Sequence, residues 1–119
     1  MIVCAGVASA QGNWERVRGE IAYRESRNGL YRVGVNKDGS LDLGLYQIWE
    51  GNLKRKISGD RLADAFDRIF LKWGIDTSMS KRIPAVRDND RLNEALAREI
   101  FRQRDIKAWT SMRKRQRKN

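Results

Sequence analysis

Two carboxylates, Glu25 and Asp42, lie 17 positions apart in a chain of 119 residues, and their settings differ. Trp14, Val17, Ile21 and Ala22 fall at i, i+3, i+7 and i+8, which is one face of a helix. Glu25 is the next position on that face, at i+11. A carboxyl group at the end of an apolar stripe is expected to lose water, and its pKa rises because the anion loses solvation. Asp42 follows the turn cluster Asn36-Lys37-Asp38-Gly39-Ser40, where a carboxylate is expected to stay hydrated and ionised. A neutral acid and an ionised carboxylate acting on one substrate suit the cleavage of a glycosidic bond. The leaving oxygen is weakly basic and needs a proton donor, and the positive charge that develops on the ring needs an anion opposite. On pattern alone each residue also has a plainer reading. Glu25 has Arg24 and Arg27 as near neighbours and could be solvated or ion-paired, and aspartates are common in turns.

Absences narrow the chemistry further. There is no histidine, which excludes a Ser-His-Asp triad, a Cys-His pair and a His-ligated metal. The single cysteine, Cys4, can form neither an intrachain disulfide nor a cysteine metal cluster. No metal or other cofactor is expected. No apolar run approaches the roughly 20 residues of a membrane span, so none is expected. With 25 Lys+Arg against 15 Asp+Glu the net charge is +10, a surface that seeks a polyanion. Nucleic acid and the anionic bacterial wall both qualify.

These residues need elements to position them. The length suits one domain with one core. Helix is predicted over Asn13 to Asn28, with Asn28-Gly29 as its stop. Tyr31, Val33 and Val35 alternate with Arg32 and Gly34, a strand signal, and Asp38-Gly39 marks the turn of a hairpin. Leu41 and Leu43 flank Asp42, placing it on the opposite strand face from both. Leu45 to Trp49 reads as a short buried segment. Leu62, Ala65, Phe66, Ile69, Phe70 and Trp73 form the strongest helical stripe, read as core, with Asp60 as its N-cap and Gly74 as its stop. A loop containing Pro84 is expected next. Then comes a helix capped by Asp90 and carrying Leu92, Ala95, Leu96 and Ile100, and a last helix from about Asp105 with Ile106 and Trp109. The fold class expected is α+β, mainly α, with a small β-hairpin beside a cleft. Residues 1–10, MIVCAGVASA, end like a signal-peptidase site and are read as a possible signal-peptide remnant, or as a buried first segment. Residues 11–119 form the domain, and residues 113–119 are a basic tail.

The stretch YRESRNGLYRVGVNKDGSLDLGLYQI, Tyr23 to Ile48, resembles the active-site segment of the lysozyme superfamily. It is similar both to c-type lysozymes and to bacterial and phage lytic transglycosylases with an SLT-type domain. The matching elements are Glu25-Ser26, Asn36, Asp38-Gly39-Ser40, Asp42 and Gly44-Leu45-Tyr46-Gln47-Ile48, in the lysozyme register without a gap. A second block, Asn93-Glu94-Ala95 through Ala108-Trp109 to Arg113-Lys114-Arg115, resembles the family's C-terminal helices. Together the blocks cover roughly half the chain. The resemblance implies a lysozyme-like fold acting on peptidoglycan, at the β-1,4 bond between N-acetylmuramic acid and N-acetylglucosamine. Glu25 would be the general acid. Asp42 would stabilise the oxocarbenium-like transition state or act as nucleophile; lysozyme is the type case for two carboxylates in two environments. Ser26, Asn36, Gln47, Trp49 and Trp109 would line or bind the glycan, with Trp109 as an apolar wall by Glu25. The enzyme would be secreted or periplasmic, or delivered to the periplasm by a phage or conjugation apparatus.

The chain departs from the family in several places. Trp49 stands where the family usually has Asn after Gln-Ile, which removes a polar contact to the sugar. Trp49 could stack on a sugar face or belong to the core. Asn52 and Leu53 occupy the region where animal lysozymes carry an aromatic pair, and the lysozyme disulfides are absent. These departures favour a bacterial or phage enzyme. Asp42 argues for hydrolysis, yet some transglycosylases of mobile elements carry a similar DGS-x-D hairpin, so the resemblance leans to the transglycosylase-type family and hydrolysis stays open. Rival readings are a lysozyme-like protein that binds glycan without cleaving it, and a nucleic-acid-binding module. The tail carries Arg113, Lys114, Arg115, Arg117 and Lys118, which would hold phosphates or anionic wall polymers alike. A calcium loop is rejected, because its first and twelfth ligands would fall on Gly34 and Leu45.

Overall fold

In a computed structural model, residues 5–54, 61–76 and 78–109 are described, with side chains from Asn13 onward. Helix dominates, beside one small antiparallel sheet, so the chain is α+β and mainly α. Helix α1 runs Ala5–Ser26, and three short strands follow: β1 Val33–Val35, β2 Leu41–Leu43 and β3 Ile48–Trp49. A 3₁₀ turn, Glu50–Leu53, leads on to α2 Arg61–Lys72, α3 Met79–Asp88 and α4 Asp90–Arg104, and a second 3₁₀ turn covers Ile106–Ala108. No helix among the described residues is long and apolar enough to cross a membrane.

The apolar stripe of α1 does what its spacing predicts: Trp14, Ile21 and Ala22 are buried and Val17 packs against the same core. The helix ends at Ser26, two residues before the expected stop, because Arg27 and Asn28 already adopt positive φ. The sheet has order β1-β2-β3, one strand more than a hairpin. Asp42 pairs with Gly34 on one side and Trp49 on the other, and Leu43 pairs with Val33 and Ile48. Paired residues share a face, so Leu43 and Ile48 go into the core while Asp42 and Trp49 share the opposite side.

Helix α4 lies at the centre. Leu92, Leu96, Ala97, Ile100 and Phe101 are buried on it, and the Trp14 ring meets Phe101, Tyr46 and Trp109 at centroid distances of 5.6, 5.2 and 6.3 Å. Asn93 is a polar residue on this buried face, and both its amide oxygen and its amide nitrogen are hydrogen-bonded there. It accepts from the Tyr46 amide at 2.8 Å and donates to the carbonyls of Leu43 and Val86 at 2.9 and 2.8 Å, tying sheet, α3 and α4 together. Gly44 makes this possible. Its φ is +77°, and a Cβ there would overlap the Asn93 amide and the Val86 carbonyl oxygen. Arg82 is likewise buried, and each of its three nitrogens has a partner: it donates to the carbonyls of Leu53 and Asp76, pairs with Asp67 at 2.9 Å and lies over the Phe70 ring.

Several sequence expectations are corrected. The Pro84 segment is helical, inside α3. Proline removes one backbone bond, to the Ser80 carbonyl, but both residues are exposed and water can take that acceptor. The cap of α4 is Asn89, whose side chain accepts from the Leu92 amide at 3.1 Å, and Asp90 is the first helical residue. The segment after Asp105 makes only a 3₁₀ turn before the buried Trp109. Trp73 is not core: α2 ends at Lys72, Gly74 takes a φ of 72°, and the indole is 38% exposed. The expected Asp60 cap, Cys4 and the basic tail at 113–119 lie outside the described residues. So does part of the possible signal remnant; its remaining backbone, from Ala5, is continuous with α1.

Candidate active site

A cleft of about 600 Å³ opens between the C-terminal end of α1 and the sheet, and the end of α4 with Ala108 and Trp109 also borders it. Glu25, Asn36, Asp42, Gln47, Trp49 and Trp109 all line it. Of the seven residues singled out from sequence, only Ser26 does not. Ser26 is fully buried: its hydroxyl donates to the Leu45 carbonyl at 2.7 Å and accepts from the Gly29 amide at 2.8 Å. It ties the end of α1 to the segment between β2 and β3, so the expected contact with substrate is replaced by a structural one. The tie holds Glu25, the preceding residue, at the cleft.

Glu25 is half-buried in the last turn of α1. Asp42 comes from the middle of β2, also half-buried. The expectation of an open, polar setting for Asp42 is revised. Burial beside Trp49 pushes its carboxyl above the ordinary aspartate value, and the charge of Asp38 adds to the rise. The Asn36 side-chain amide opposes both by donating to Asp42 Oδ1 at 3.2 Å, which favours the ionised form.

The turn that carries these groups is closed by its own side chains. Asp38 accepts from the Ser40 amide at 2.9 Å and from the Ser40 hydroxyl at 2.6 Å, and these bonds hold its carboxyl below the usual range. The Trp49 indole N–H donates to Ser40 Oγ at 2.9 Å, which ties the ring to the turn. With 42% of its surface exposed and its side chain at the cleft, Trp49 is a wall residue and not core. Its ring packs on Gly51, where a Cβ would collide with it. Gln47, at φ 52°, spends its amide donors on the carbonyls of Gly44 and Tyr31, and its Oε1 fills the space that Gly34 leaves empty. Its oxygen is therefore the atom that can meet a ligand donor. Trp109 is buried and donates to the Tyr46 carbonyl at 2.9 Å, so its two expected roles, core and cleft wall, coexist.

Lys37 and Arg104 also line the cleft, one from the turn and one from the last residue of α4, and their side chains form no hydrogen bond or ion pair with the described residues. Sequence reading did not single them out: among 25 basic residues nothing local distinguishes these two. Ser40 was visible as a turn residue, but its bond to Trp49 depends on β3 folding back beside β2. Asn93 did carry a signal, a polar side chain on the apolar face of a helix.

A carboxyl group from α1 and another from β2 thus line one cleft together with two tryptophans. Comparison with protein-family models, with curated proteins and with solved structures gives no match to this chain.

Proposed function

We propose that the chain is a peptidoglycan-cleaving enzyme with a lysozyme-like fold, acting on the β-1,4 bond between N-acetylmuramic acid and N-acetylglucosamine. One observation carries the reading: Glu25 and Asp42, which arrive from different elements, line the same cleft as two tryptophans. Glu25 donates its proton to the leaving oxygen. Ionised Asp42 faces the positive charge that develops on the ring, or attacks it. The bond is then completed by water, giving hydrolysis, or by the sugar's own hydroxyl, giving an anhydro end as in lytic transglycosylation. Trp49 supplies a stacking surface where the family usually offers an amide. Gln47 Oε1 and Asn36 Oδ1 accept from sugar hydroxyl or acetamido groups. The substrate lies outside the cytoplasmic membrane, which fits secretion or delivery by a phage or conjugation apparatus. The net charge of +10 suits an anionic wall.

Incubation with purified peptidoglycan followed by mass spectrometry of the released ends tests this. New reducing ends assign hydrolysis and anhydro ends assign transglycosylation. Intact strands after prolonged incubation with folded protein reject the proposal.

A further inference from the structure

The acids and the bases of the cleft sit at different depths. Glu25 and Asp42 are half-buried, and Ile48, Ile100 and Trp109, which line the cleft with them, are buried. Lys37 and Arg104 border the same cleft but are exposed, so their charges stand at its mouth.

Neither cation is used among the described residues. Asp38, next to Lys37 in the turn, is spent on the Ser40 amide and hydroxyl. Asp42 answers to burial, to Asn36 and to Asp38, and no cation is among the groups that shift it. Lys37 and Arg104 are therefore not counter-ions of Asp38 or Asp42. Both stand on fixed backbone. The turn that carries Lys37 is closed by the Asn36 amide donating to the Ser40 carbonyl at 2.8 Å and the Gly39 amide donating to the Asn36 carbonyl at 2.9 Å. Arg104 ends α4, where the Asp105 amide donates to the Phe101 carbonyl at 2.8 Å.

This layering of charge selects the ligand. A polyanion lying along the cleft would pass Glu25 and ionised Asp42, and like charges repel. A neutral chain would not, and anionic branches leaving it through the mouth would meet the two cations. Peptidoglycan is built that way. The carboxyl of its acidic sugar is amide-linked to a peptide, so the sugar strand is neutral and the negative charge lies on free carboxylates of the peptide branch.

We infer that Lys37 and Arg104 recognise the carboxylates of that peptide branch, so that the protein prefers peptide-bearing strands to neutral ones. The inference rests on the glycosidase reading for the identity of the strand and adds a determinant of specificity to it. An exposed ion pair changes affinity by up to about fivefold. The two together are expected to give about tenfold, and salt weakens them.

Binding is measured with the full chain carrying Glu25→Gln, which leaves strands uncut. Three soluble ligands of equal length are compared: peptide-bearing strands, the same strands stripped of peptide by an amidase, and chitin oligosaccharides. Stripped strands carry the sugar's own carboxylate, and chitin carries none. Peptide-bearing strands are expected to bind about tenfold more tightly than chitin. Adding K37Q/R104Q is expected to bring that ratio close to one, as is raising the salt to about 0.5 M. R91Q/R98Q removes the same charge from a separate groove and is expected to leave the ratio in place. No preference at the outset, or a preference that survives K37Q/R104Q, overturns the inference. An equal fall in R91Q/R98Q also overturns it, since net charge alone would then explain the preference. Stripped strands binding as tightly as peptide-bearing ones overturn it in favour of the sugar's carboxylate. Displacement of bound strand by single-stranded DNA overturns it in favour of a polyanion. If the parent chain releases no glycan ends yet the ratio depends on Lys37 and Arg104, the cleavage reading fails and the recognition site stands.

Discussion

Asn36 and Asp42 face each other across the hairpin, the Asn36 side-chain amide donating to Asp42 Oδ1 at 3.2 Å. This bond favours the ionised form of a carboxyl group that burial and Asp38 push the other way. Asn36→Ala removes it, so Asp42 will ionise only at higher pH. If ionised Asp42 is required, the acidic limb of the pH–rate profile moves upward in the variant while the alkaline limb stays in place. Rates of glycan-end release across pH measure this, and an unmoved acidic limb removes Asp42 from the reaction as an anion.

The same shift carries a stability signature. Asp42 has a folded-state pKa above its unfolded value, so its contribution to stability is present at pH below the unfolded pKa. That contribution is lost as pH rises through the folded pKa, because ionising a half-buried carboxyl costs solvation. Asp42→Asn cannot ionise and escapes the loss. Relative to the parent it should gain stability as pH rises from strongly acidic to neutral. Urea unfolding at the two ends of that range checks the sign.

Glu25→Gln keeps the shape of the side chain and removes the transferable proton. Glycan cleavage should fall by about 10²–10⁴-fold or below detection, with a melting temperature close to the parent's, since the residue is only half-buried. Asp42→Asn should harm a hydrolase strongly and a transglycosylase less. The ratio of the two losses, read with the chemistry of the released ends, separates the two reactions.

Trp49 should matter to binding more than to folding. It is 42% exposed and hydrogen-bonded to the turn through Ser40. Trp49→Ala is expected to raise KM several-fold with a smaller change in kcat. Trp49→Phe, which keeps a ring but loses the Ser40 bond, should fall between. A large loss of thermal stability in Trp49→Phe would return the residue to the core.

Gly44 and Asn93 are predicted to be the least tolerant pair in the scaffold. Gly44→Ala meets a φ of +77°, worth about 1–3 kcal/mol in a non-glycine residue, before the overlap with Asn93 and Val86 is added. Asn93→Ala orphans one buried donor and two carbonyls, each costing about 1–3 kcal/mol. The two substitutions should be strongly non-additive, because each removes the reason for the other. Thermal unfolding of both single variants and the double variant measures the coupling.

Much of this protein follows from local sequence. The period of Trp14, Ile21 and Ala22 placed Glu25 at the end of a buried stripe, and the alternation around Asp42 set it on the face opposite Leu43. Asp38-Gly39 marked the turn. These are short-range facts, because backbone periodicity and turn chemistry act over a few residues. Composition likewise excluded histidine chemistry and an intrachain disulfide. Local patterns failed where a distant partner decided the outcome. Pro84 reads as a loop signal, yet α3 forms because Arg82 and Val86 are pulled into the core. Trp73 continues an apolar stripe, yet its helix stops one residue too soon to bury it. Ser26 reads as a site residue beside Glu25, but Leu45 claims its hydroxyl. Trp49 could be wall or core until β3 paired with β2. Only the packing of α1, the sheet and α4 around Asn93 brought Glu25 and Asp42 to one cleft, because side chains 17 positions apart meet only when tertiary contacts outweigh the entropy of closing the chain between them.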